Sequence, residues 1–95
     1  MDILLMKITI RNSWVKSLKE KRMIVKSITQ RLKNKFNISV GEVDKQDNHK
    51  LMVIGISAVC GDVKIAHSTK EKILDFLENN IDGEIINIDE ETEIF

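Results

Sequence analysis

Ser17-Leu18-Lys19-Glu20-Lys21-Arg22 stands between a stretch of alternating apolar residues and a run of helical periodicity. Ser17 with Glu20 three residues on has the spacing of a capping box. The hydroxyl takes a free amide at the helix entrance, and the carboxylate reaches back to the cap's own amide. A helix is therefore expected from Leu18. Upstream, Leu4, Met6, Ile8 and Ile10 recur every second residue opposite Ile3, Leu5, Lys7, Thr9 and Arg11, which is a strand with one strongly apolar face. Downstream, Ile24, Val25, Ile28 and Leu32 recur at helical spacing. The hexapeptide thus joins a strand to the helix that crosses over it.

The same alternation of periods continues to the end of the chain. Phe36, Ile38 and Val40 return to strand spacing, so a second strand is expected from Phe36 to Glu42, with Gly41 marking a bulge or a strand end. Asp44 to Lys50 is polar and turn-like. Leu51 to Cys60 is apolar on both faces apart from Gly55 and Ser57, as a central strand requires. Gly61-Asp62 ends it and places an aspartate to cap a second helix, whose buried stripe is Ala66, Ile73, Leu74, Leu77 and Ile81. Asn79 to Gly83 carries residue types that tolerate a left-handed cap. Ile86 and Ile88 alternate in a last strand.

The order is βαββαβ over residues 1–95, with no Pro, no linker and no repeat. Two right-handed crossovers over one sheet make an α+β, ferredoxin-like sandwich. The expected strand order is 4-1-3-2, with both helices on one face. The opposite face should then show Ile3, Leu5, Lys7, Thr9 and Arg11, Leu51, Val53, Gly55, Ser57 and Val59, and Ile85 and Asn87.

Three blocks of this chain resemble the YlxP-like family of small bacterial proteins of unknown function. They are Ser17 to Arg22, Arg31-Leu32-Lys33-Asn34-Lys35-Phe36-Asn37-Ile38-Ser39-Val40-Gly41-Glu42-Val43, and Gln46-Asp47. The resemblance runs almost end to end. It implies the same ferredoxin-like fold and a cytoplasmic protein often encoded beside translation initiation factor two and ribosome-binding factor A, hence a ribosome-linked role. Trp14, Asn48 and Cys60-Gly61 depart from the family's pattern.

A single domain of 95 residues, 42 % hydrophobic and 32 % charged, is a globular composition. No apolar run approaches the roughly 18 residues of a membrane span, and no signal peptide is read. Cys60 is the only cysteine, which excludes an internal disulfide and fits a reducing cytosol. The formal charge is zero, yet it is unevenly distributed. Arg11 to Lys35 holds nine basic residues against Glu20 alone, a balance of +8, and Glu71 to Phe95 holds nine acids against Lys72, a balance of −8.

Lys19, Arg22, Lys26 and Lys33 fall on one side of the first helix, away from Ile24, Ile28 and Leu32. A phosphate backbone needs such an array, since each neutralised phosphate releases counterions and the contacts need no sequence code. A solvated helix face carries lysines too, but the acids that intersperse such a face are absent here. The third strand has no aromatic, and there is no RNP1 pattern and no GXXG loop, so bases are not expected to stack on the sheet. Trp14 either packs over the sheet edge or serves as the one stacking platform. His49, His67 and Cys60 share no metal or catalytic spacing, and Cys60 reads as a small core hydrophobe. Glu42, Asp44 and Asp47 form an acidic turn that takes a cation, meets a basic partner or is simply a turn.

The expected function is therefore non-enzymatic: binding of ribosomal or other structured RNA through the first helix, without a cofactor or metal. The alternative is a protein-interaction or self-assembling module. Its interface would be Ile3, Leu5, Leu51, Val53 and Val59, too many apolar groups to leave wet on the helix-free sheet face.

Overall fold

The computed structural model describes residues 1–95. Its elements are β1 (Asp2–Arg11), α1 (Leu18–Lys35), β2 (Ser39–Asp44), β3 (Leu51–Cys60), α2 (Val63–Asn80) and β4 (Glu84–Ile94). The four strands form one antiparallel sheet in the order β2-β3-β1-β4, which is the expected 4-1-3-2 taken from the other edge. α1 packs toward β2, whereas α2 lies over β1 and β3 and reaches β4. The core between helices and sheet is built from Leu4, Met6, Ile8 and Ile10 of β1, the even-numbered residues of β3, Ile28 and Leu32 of α1, and Ala66, Ile73 and Leu77 of α2.

Both helices start where their caps dictate. Ser17 Oγ accepts the Glu20 amide at 3.1 Å, and Asp62 Oδ1 accepts the Ile65 amide at 2.8 Å. Only the first half of the capping box is made, because the Glu20 carboxylate has no bond to the Ser17 amide. Neither helix closes with a left-handed residue. Phe36 and Ile81 are extended, and each donates its amide to the carbonyl four residues back. The left-handed cap expected between Asn79 and Gly83 is therefore absent. Gly83 is needed for a different reason: a Cβ there would stand 2.2 Å from Asn12 Oδ1 and 3.0 Å from the Arg11 carbonyl. The positive φ that does occur, 57°, belongs to Lys45 in the β2–β3 turn.

Pairing of β2 begins at Ser39, three residues later than its apolar periodicity suggests, because Phe36 terminates α1 and its ring stacks edge-on against Phe76 of α2. The bulge in β2 falls at Val43 rather than Gly41, since Glu42 pairs with Ile54 and Asp44 with Val53. Val43 folds over Gly55, where a Cβ would come within 2.5 Å of it. A second bulge, in β4, sets Ile85 opposite Ile10 and Asn87 opposite Thr9. Side chains alternate faces with a period of two, so the extra residue turns Ile85 inward. Ile85 packs against the core and does not join the open face, as its expected parity had it; Asn87 does.

Candidate nucleic-acid interface

Along α1 each residue advances about 100°, so Lys19, Arg22, Lys26 and Lys33 fall within an arc of about 60° and span about 21 Å of helix axis. All four are exposed, and none has an acidic or carbonyl partner. The arc lies beyond Val25, on the flank that looks past β2. Arg31 is on the opposite flank, where it donates to the Asn80 carbonyl at 3.0 Å, at the junction with α2. The acids sit across the molecule, on α2 and β4, so the dipole inferred from the sequence runs across the sheet from one edge to the other.

Not every cation of the basic segment belongs to this surface. Lys21 is 1 % exposed, and its ammonium stands 2.8 Å from Glu42 Oε2 while also donating to the Lys45 carbonyl. This ion pair ties the first turn of α1 to β2 and accounts for one of the three acids of the turn. Asp44 is engaged as well, capping the Lys45 amide at 2.7 Å. Helical spacing placed Lys21 among the basic residues without indicating burial, since its partner lies 21 positions away. Arg11 is drawn off too, paired with Glu84 at 2.9 Å.

Trp14 occupies the loop that leads into α1 and is 44 % exposed. Its loop is held in place. Lys50 Nζ donates to the Ser13 carbonyl at 2.7 Å, and the Asn12 amide donates to the Lys50 carbonyl at 2.8 Å. The indole is thus presented from a fixed loop at the N-terminal end of the strip.

The helix-free face is organised in rows by the common register. Ser39, Ser57, Leu5 and Glu91 form one row, and Gly41, Gly55, Lys7 and Asp89 the next. These rows floor a shallow groove of about 750 Å³. The five apolar residues expected here do not make one patch. Val53 is only 6 % exposed, hidden between β1 and the bulged β2, so it is a core residue and not an interface one. Leu51 is half-buried at one end of the face, and Ile3, Leu5 and Val59 gather at the other. Register extends that second group to Met1 and Phe95, whose backbones pair; Val59 is 73 % and Phe95 89 % exposed.

On the acidic flank, Lys70 of α2 donates to Glu90 of β4 at 3.1 Å, with Glu71 at 3.7 Å. The hydrogen bond to Glu90 raises the pKa of the Lys70 ammonium above 10.5, partial desolvation opposes the shift, and the two carboxylate charges reinforce it. No helix is long and apolar enough to cross a membrane.

A family model described as "Protein of unknown function (DUF503)" matches residues 3–90. "Uncharacterized protein YlxP" of Bacillus subtilis (strain 168) is 36 % identical to this chain over 63 residues, which cover 66 % of this chain and 68 % of that protein.

Proposed function

The chain belongs to the DUF503 family of proteins of unknown function, and from that premise we propose that it is a cytoplasmic, non-enzymatic protein that binds structured RNA, ribosomal RNA foremost, through α1. The observation that carries this reading is the strip of four exposed, unpaired cations, Lys19, Arg22, Lys26 and Lys33, on one arc of α1, with the unpaired Lys35 off that arc. Lys21 is consumed inside the fold and Arg31 is engaged at the junction with α2. A row of fixed charges about 21 Å long suits a phosphate backbone, and it contacts shape rather than sequence. Trp14 adds one stacking surface beside it.

The test is salt-dependent binding to ribosomal subunits and to a structured RNA. Four phosphate contacts predict a log-log slope of roughly −3 to −4 for duplex-like RNA, each single Gln substitution flattening it by about one unit. Changing Lys19, Arg22, Lys26 and Lys33 together to Gln is expected to abolish binding with the circular dichroism spectrum intact. Salt-insensitive binding, or full binding by the fourfold variant, overturns the reading.

A second use rests on a separate observation, the exposed Met1, Leu5, Val59 and Phe95 around a half-buried Ile3 on the helix-free face. Apolar groups gathered this way favour cover by a second subunit. Val59→Asp is expected to lower the oligomeric state seen by light scattering. A wild-type protein that is monomeric at high micromolar concentration removes this use without touching the RNA reading.

A further inference from the structure

A cleft of about 290 Å³ opens where β2 and β3 part. Their pairing ends at Ser39 opposite Ser57, and the chain from Phe36 to Ile38 runs into the end of α1 instead of continuing as a strand beside Ala58 to Cys60. Phe36, Ile38, Ala58 and Cys60 line its apolar side. Lys35 from the end of α1, Asn37 from the connection, and Thr69 and Lys72 from α2 supply its polar side. No acid lines it. Glu71 and Asp75 neighbour Lys72 along α2, yet neither lies within ion-pair distance of it, and Lys35 is equally unpaired.

We propose that this cleft binds a phosphomonoester. Lysines from two separate helices line it, and a phosphomonoester carries close to two negative charges at pH 7, whereas a carboxylate would leave one lysine uncompensated. Its three terminal oxygens accept from two ammonium groups, a hydroxyl and an amide, the donor set that Lys35, Lys72, Thr69 and Asn37 provide. The apolar side receives the organic group that the phosphate bears. The volume lies at the lower end of ligand cavities and fits a phosphate with a small body. The assignment does not rest on RNA binding by α1, because Lys35 lies well off the arc of Lys19, Arg22, Lys26 and Lys33.

The test follows backbone amide shifts during titration at low salt with inorganic phosphate, adenosine 5′-monophosphate, and adenosine as the uncharged control. Saturable shifts at residues 36–38, 59–60 and 69–72 are expected with the first two and none with adenosine. Affinity for the monophosphate is expected to fall about tenfold between pH 7.5 and pH 5, as the dianion takes up a proton near pH 6 to become the monoanion. Lys35→Gln and Lys72→Gln are each expected to weaken it several-fold, while the fourfold α1 variant leaves it unchanged. Shifts that do not saturate, that appear only on the α1 strip, or that survive Lys72→Gln undiminished overturn the proposal. The same titration with 5′-phosphorylated and 5′-hydroxyl RNA separates the two sources of the group: a preference for the phosphorylated end assigns the site to an RNA terminus, and equal binding assigns it to a free phosphomonoester.

Discussion

The two βαβ halves of the molecule, β1-α1-β2 and β3-α2-β4, are built alike and solvated differently. Each helix has 18 residues, begins at a capping side chain and ends on an extended residue. Each also carries a lysine that grips a glutamate on the edge strand that follows it, Lys21 on Glu42 and Lys70 on Glu90. In the first half the lysine is sealed from water. In the second, 18 % of the Lys70 side chain and 43 % of the Glu90 side chain remain exposed. A buried ion pair makes a poor source of net stability but a costly one to break, because removing one partner strands the other. The wet pair has solvent to fall back on. The same clamp is therefore a fixed joint beside the basic strip and a soft one on the acidic flank.

Breaking the first joint gives the largest expected effect. Lys21→Ala leaves Glu42 without its counter-charge and is expected to cost about 3 kcal/mol in chemical denaturation. Lys21→Met with Glu42→Leu is expected to return most of it, since an apolar pair of similar size replaces the charges. A loss under about 1 kcal/mol for Lys21→Ala would show the two joints to be equivalent.

Next comes the turn that feeds each edge strand. Gly83→Ala drives a Cβ into Asn12 and the Arg11 carbonyl and is expected to cost about 1–3 kcal/mol by overpacking. An unchanged denaturation midpoint would mean that the α2–β4 turn yields to the added Cβ without strain.

The caps sharpen the comparison by being equal. Ser17→Ala and Asp62→Ala are each expected to cost about 1 kcal/mol. A change below about 0.3 kcal/mol for either one would mean that its helix starts elsewhere.

Smallest is the wet joint, which is read through pH. The Lys70 pKa is raised on folding, so its contribution is present below pH 10.5 and is lost as pH rises through the folded value above it. The difference in thermal midpoint between the wild type and Lys70→Gln is expected to shrink above that pH. A difference that persists there points to lost packing instead of lost charge.

What sequence periodicity could reveal of this architecture was set by range. The strand spacing of Leu4 to Ile10, the caps at Ser17 and Asp62 and the doubly apolar third strand are local signals, and together they dictate the order of elements and hence the topology. The arc of four cations on α1 is local too, since 3.6-residue spacing places it without any partner. Burial of Lys21 depends on Glu42 across a helix–strand contact, and no short window contains both. The bulges at Val43 and Ile86 are single extra residues, detectable only against the partner strand, yet one of them reverses the facing of Ile85. Burial of Val53 likewise follows from how β2 bends beside it. The cleft between β2 and β3 was illegible for the same reason, because it exists only where pairing stops.

Val43 and Gly55 occupy one volume between them. A side chain at position 55 and a valine at position 43 are mutually exclusive without a shift of the bulge, although the two residues lie 12 positions apart and on different strands. This imposes an order on evolutionary change. Val43→Ala first and Gly55→Ala second is an open path through folded intermediates, whereas the reverse order passes through a strained one, so the two sites are epistatic and any drift in this part of the groove is directional.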